Sequence, residues 1–70
     1  MKCVGAKQVL KSIHEKKVKK VYIAKDADNH ITDEIIKLCK ENNLQLFFVD
    51  TMVELGKKAG IDVKASSYAE

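Results

Sequence analysis

The sequence predicts an α/β fold, a three-layer α/β/α sandwich, and three observations predict it. Apolar residues recur at helical spacing in three separate stretches. Short β-branched and aromatic runs lie between those stretches. No proline, repeat or low-complexity segment interrupts the alternation. Helices that alternate with strands bury their apolar stripes best when packed on the two faces of one sheet.

Taken in order, Lys2-Cys3-Val4 is a stub of strand. From Ala6 the apolar positions Ala6, Val9, Leu10 and Ile13 share one face, which predicts an amphipathic helix running to about Lys16. Val18 to Ala24 is β-branched and aromatic and reads as a strand, followed by a polar loop from Lys25 to His30. Thr32 is placed to cap a second helix, with Asp33 and Glu34 in its first turn, where the helix dipole favours negative charge. Ile35, Ile36, Leu38 and Cys39 supply that helix's buried face, and Asn42-Asn43 ends it. Leu44 to Val49 is nearly continuously apolar, the pattern of an interior strand covered on both faces. Thr51-Met52-Val53-Glu54 has the form of a capping box opening a short third helix. Gly60 stands where a left-handed residue closes it. Val63 to Glu70 has room for a loop and the beginning of a strand.

The 70 residues are expected to form a single domain, 1–70. A chain of this size buries only about 60% of the surface its unfolded form exposes, so its stability margin is narrow. No apolar run approaches the roughly 20 residues that span a bilayer. The first residues carry no apolar leader, so cytoplasmic residence and no membrane partner are expected. Cys3 and Cys39, far apart and without neighbouring metal-ligand spacing, are expected as free, buried or half-buried thiols. Asp26, Asp28, Asp33 and Glu34 lack the glycine and regular oxygen spacing of a calcium loop. No phosphate-loop or dinucleotide fingerprint is present. Neither His14 nor His30 adjoins a nucleophile. No cofactor, no metal and no enzyme activity are expected.

Charge is more informative. The formal net charge is +3, and all 13 basic residues are lysines. Lysine meets phosphate as a flexible point charge, whereas arginine supplies the rigid fork that reads guanine edges. A polyanion partner would therefore be attracted by lysines, and its specificity would come from shape, amides and backbone groups. The sharpest local feature is Gly5-Ala6-Lys7-Gln8-Val9-Leu10-Lys11. Glycine admits a tight turn and a close ligand, and the first turn of a helix carries unpaired amides and a positive dipole end. Lys7 and Lys11 share an outward face with Gln8 beside them, which suits phosphates and a base edge. On periodicity alone, a solvated helix face accounts for the same pattern. The small residues of Val63-Lys64-Ala65-Ser66 would expose amides, and Val63 offers an apolar surface to an unstacked base. A plain helix-to-strand connection reads equally well there.

Three segments together resemble one family. GAKQVLK (5–11), VYIAKDAD (21–28) and LGKKAGIDV (55–63) resemble, in order and spacing, the L-seven-Ae and L-thirty-e kink-turn-binding ribosomal proteins, in particular the short bacterial members of the YbxF type. The resemblance implies a small central mixed sheet and a non-enzymatic RNA-binding protein. Its ligand would be a kink-turn, a sharply bent duplex with tandem G·A pairs, in ribosomal RNA or another structured RNA, with the ribosome as a further partner. It implies RNA contacts at Gly5, Lys7, Gln8, Lys11, Asp28, Val63, Lys64, Ala65 and Ser66. In the archaeal and eukaryotic relatives Asn and Glu stand where this chain has Lys7 and Gln8, while Gly5 and Lys11 match. The bacterial members carry a similar Lys-Gln pair. Relatives also begin with a further helix and end with a longer strand, so the domain is expected to lack the family's first helix and part of its last strand. A monomer is the default state. A missing packing helix would bare one sheet face and favour reduced stability or self-association. The competing reading is a ribosome-associated protein-interaction module without specific RNA recognition. Lys57 and Lys58 have no assigned role.

Overall fold

In the computed structural model, which describes residues 3–70, four strands and three helices follow one another in alternation. They are β1 (Cys3–Val4), α1 (Ala6–His14), β2 (Lys20–Ala24), α2 (Asn29–Glu41), β3 (Gln45–Val49), α3 (Met52–Ala59) and β4 (Ser67–Ala69). Lys2, expected in the first strand, lies outside the described residues. The strands form one mixed sheet in the order β1-β4-β2-β3. β2 and β3 are parallel, and β4 runs antiparallel to both β1 and β2. β1, β2 and β3 therefore point one way, and each leads into a helix at its carboxyl end.

Alternation along the strands separates two cores. Cys3, Val21, Ile23 and Ala69 meet Val9 and Ile13 of α1 and Ile35 and Cys39 of α2. Ala24 and Tyr68 meet Leu55 and Ala59 of α3 on the opposite face, together with Ala27 and Ala65 from the loops. The three-layer sandwich and its mixed sheet are thus as expected. Both cysteines are free and buried. Burial pushes the Cys39 thiol up to about 11, which keeps it protonated at neutral pH.

Helix ends follow local chemistry. Thr51 caps α3, its hydroxyl accepting from the Glu54 amide at 3.1 Å. Gly60 closes α3 at φ 79°, ψ 27°. α1 stops at His14, before the expected Lys16, which adopts a positive φ of 56°. α2 corrects the sequence reading further. It begins at Asn29, capped by the Asp28 carboxylate, which accepts from the His30 amide at 2.8 Å. Thr32 lies one turn inside the helix, buried, its hydroxyl directed to the Asn29 carbonyl at 3.4 Å. Asp33 and Glu34 consequently fall beyond the first turn. A second correction concerns β3. Its apolar run belongs to an edge strand, because among the described residues β2 is its only neighbour in the sheet. The short last strand, β4, stands where the sequence placed it and is fully buried and interior despite its three residues.

The α3 face ends in an aromatic row. Tyr22 stacks on Phe47 at 5.1 Å and on Tyr68 at 5.6 Å between ring centroids. The Lys58 ammonium sits 4.7 Å from the Tyr22 ring centroid. Glu70 accepts from the Tyr68 hydroxyl at 2.7 Å and from the Tyr22 hydroxyl at 3.3 Å. Burial, then the hydrogen bond to Glu70 and its charge, raise the Tyr68 phenol to about 12.

Gly56 is held to its size by the chain that returns beside α3. A Cβ there would lie 2.1 Å from the Val63 carbonyl oxygen, a backbone atom that cannot swing aside. Gly56→Ala is expected to lower stability by about 1–3 kcal/mol through overpacking, measured by urea unfolding. Tyr68 generates a pH prediction. Its proton is held more tightly in the folded chain than in the unfolded one, so its contribution is intact below the unfolded value near 10. That contribution is lost as pH rises towards about 12. Melting temperature should fall across that window, and less steeply in Tyr68→Phe.

Candidate nucleic-acid interface

The parallel strands direct every helix N-terminus to one end of the sheet, and the antiparallel β4 begins at the same end. Crevices at the carboxyl ends of parallel strands are where open α/β sheets hold ligands. Backbone hydrogen bonds tie the parts together. The Gly5 amide donates to the Ser67 carbonyl at 3.0 Å, the Ala24 amide to the Ser66 carbonyl at 3.1 Å, and the Ala65 amide to the Met52 carbonyl at 3.0 Å. The first turn of α1, the 25–28 loop and the 61–66 loop are thereby adjacent.

The three N-termini differ. Asp28 satisfies a first-turn amide of α2, and Thr51 one of α3. The Asp26 carboxylate, from across the interface, accepts from the Met52 amide of α3 at 2.8 Å. α1 starts instead at Gly5, φ 92°, ψ 153°, with no side-chain cap. Its first intrahelical bond runs from the Val9 amide to the Gly5 carbonyl. The amides of Ala6, Lys7 and Gln8 precede that bond and therefore have no partner within the helix. A Cβ at Gly5 would meet nothing within 4 Å, so the position is open as well as left-handed in φ.

The exposed side chains of Lys7, Gln8 and Lys11 flank that turn. Gln8 and Lys11 also line a shallow recess with Cys3, Ser12, Glu15 and Lys17. On the 61–66 loop, Val63 is 68% exposed, Lys64 is exposed and Ser66 is half-buried. Ala65 departs from expectation. Its methyl is buried and its amide is bonded to Met52, which anchors the loop. Asp28 is exposed, yet its carboxylate already serves the His30 amide of α2. Lys25 adds a cation at this end, 3.4 Å from Asp50 in an exposed pair. A larger recess among Ile13, Lys16, Val18 and Glu41 to Leu44 lies at the opposite end of the sheet.

Sequence reading missed Asp26 and Gly56. Nothing local marks Asp26, because its partner lies 26 residues away. Gly56 had a signal, a glycine within a helical pattern. Its meaning depends on the chain passing beside it.

Uncapped helix amides, exposed lysines and a small-residue loop thus meet at one strand-end crevice of an α/β module. The comparisons make the class specific. Residues 3–70 match the family described as "Ribosomal protein L7Ae/L30e/S12e/Gadd45 family", and the chain belongs to that family. It is 48% identical over 67 residues to an RNA-binding protein of Caldanaerobacter subterraneus, covering 96% of this chain and 82% of that one. It is 33% identical over 66 residues to the RNA-binding protein YbxF of Geobacillus stearothermophilus, covering 94% and 80%. The structure superposes on the Giardia lamblia 15.5kD RNA binding protein with a TM-score of 0.89 at 25% identity. That match covers 97% of this chain and 57% of the Giardia chain. No helix among the described residues is long and apolar enough to cross a membrane.

Asp28 can be tested as a cap. Asp28→Ala should cost about 1 kcal/mol of stability and Asp28→Asn much less, since asparagine caps equally well. Chemical denaturation of the three proteins distinguishes them.

Proposed function

We propose that this chain is a non-enzymatic RNA-binding protein that recognises a kink-turn, or a similar sharply bent duplex with tandem G·A pairs, and stabilises the bent form. The observation that carries the reading is the uncapped first turn of α1 joined through Gly5 to the loop that precedes β4. A bent duplex presents two things to such an edge: closely spaced phosphates, and bases pushed out of the stack. The free amides of Ala6, Lys7 and Gln8, with the dipole behind them, suit a phosphate or an electronegative base edge. Gln8 both donates and accepts, so it can read a base edge, while Lys7 donates only. Lys11, one turn further along α1, and Lys64 supply charge. Val63, apolar and projecting, suits the face of an extruded base, with Ser66 beside it.

Asp28 has a different place in this reading. It orders the loop next to the RNA by capping α2, and its charge keeps phosphate away from that corner. Ala65 acts in the same indirect way.

The mechanism is a population shift. RNA exchanges between extended and bent forms, and a protein complementary to one form stabilises it by the difference in affinity. Family membership and the names of the relatives support RNA as the ligand class. Ribosomal RNA and other structured RNAs in a cytoplasmic setting present this motif.

Titration against a kink-turn duplex, and against the same duplex with both G·A pairs made Watson–Crick, tests the reading. Preference for the kink-turn should fall about five- to 150-fold in Gln8→Ala and Lys7→Ala, since a well-made base contact contributes about 1–3 kcal/mol. Lys11→Ala should weaken both duplexes alike and reduce the salt dependence by about one counterion. Equal, salt-sensitive binding of both duplexes by the unaltered chain sinks shape recognition.

A further inference from the structure

β3 is an edge strand with its outer backbone open. The Gln45 amide donates to the Lys19 carbonyl, and the Lys25 amide donates to the Val49 carbonyl. In a parallel ladder alternate residues turn their amide and carbonyl to the same side, so Gln45, Phe47 and Val49 face β2. Leu46 and Phe48 therefore point both backbone groups away from the sheet. Soluble proteins ordinarily blunt such an edge with lysine, proline or a bulge. From Leu44 to Val49 this chain has none of these, and no charge at all. Instead it exposes two large apolar side chains there, Phe47 at 43% and Phe48 at 53%.

We propose that β3 pairs antiparallel with β3 of a second copy of this chain, joining two four-stranded sheets into one. The free groups identify the occupant. Two amides and two carbonyls spaced along an extended edge are matched by another strand's backbone, and this strand is complementary to itself. With the twofold axis at Phe47, the amide and carbonyl of Leu46 meet those of Phe48 in the second copy, and the reverse. Phe47 then faces its own counterpart in the close, non-hydrogen-bonded position, which brings side chains nearest. On the α3 side the Tyr68–Tyr22–Phe47 row continues through the axis into the second row. On the other side Leu46 packs beside Phe48. Gln45 falls opposite Val49 and Leu44 opposite Asp50, so no like charges oppose each other in this register.

The arrangement leaves the α1 edge free. β3 is at one border of the sheet, and α1 packs over β1 and β4 at the other. The dimer therefore presents two uncapped α1 turns, one at each end of an eight-stranded sheet. The pairing stands on β3 alone and does not depend on which ligand those turns hold.

Sedimentation of the whole chain over a wide concentration range tests the pairing. The expected result is reversible association from 7.9 kDa to twice that mass. Leu46 and Phe48 amide exchange should slow as the dimer forms, while the amides of exposed loops stay unaffected. Phe48→Pro removes an outward amide without touching the β2 ladder, and Phe47→Lys sets two cations against each other at the axis. Each should abolish association while its circular dichroism matches the parent's. A single monomer mass at all concentrations, with unprotected Leu46 and Phe48 amides, overturns the proposal. So does protection of these amides only when RNA is added to a monomer, which would assign the edge to RNA.

Discussion

The two-sided pairing of β4 organises the molecule. Ser67–Tyr68–Ala69 lies between β1 and β2, so segments from opposite ends of the chain close the sheet together. All three residues are buried, and a buried backbone group left unpaired costs as much as a lost hydrogen bond. β4 therefore forms with both neighbours. Its flanks extend the effect: Ser66 accepts from Ala24, Ser67 from Gly5, and Glu70 from Lys19 and Lys20. The contact between Gly5 and Ser67 also fixes the candidate interface, because it sets the start of α1 beside the loop that leads into β4. Folding the sheet and assembling the interface are one event.

Within that interface, the direction of charge matters more than its amount. Net charge is only +3, and exposed lysines are flexible and screened by salt. The fixed elements are backbone. α2 and α3 spend their N-terminal amides on Asp28, Thr51 and Asp26, while α1 holds a glycine where the others hold a cap. A glycine in that place forgoes only about a few tenths of a kcal/mol of helix stability relative to a side-chain cap. An anion or base edge bound as proposed would take the cap's place.

Much of this was legible in the sequence where the signal is local. The α1 stripe of Val9 and Ile13, the Thr51 cap and the left-handed Gly60 each depend on a few neighbouring residues, and each stands where the sequence placed it. The outward set of Lys7, Gln8 and Lys11 was legible for the same reason. The start of α2 was misread because Asp28 and Thr32 are both good caps one turn apart. Asp28 prevails because a helix starting there buries Thr32 along with Ile35. The place of β3 was misread because a strand's position in a sheet depends on partners distant in sequence. Its apolar faces reflect the layers above and below, and neither says whether another strand lies alongside. The burial of Ala65 was not legible for the same reason, since it depends on α3.

Among the described residues the sheet is unevenly covered. Two helices share one face, and the eight-residue α3 lies on the other. Its first turn is fixed at the interface end by Thr51 and Asp26, so what it leaves bare falls toward the far end and the β3 side. The residues found there are amphipathic. Tyr22 and Tyr68 bury their rings and bring their hydroxyls to Glu70, while Lys58 lays its charge over Tyr22. A tyrosine ring stabilises by burial while its hydroxyl remains bonded, which suits a layer only half covered. Phe47 continues the row without a polar tip. It is the point where the covering ends, and the sheet's edge and its exposed face there present the same apolar surface.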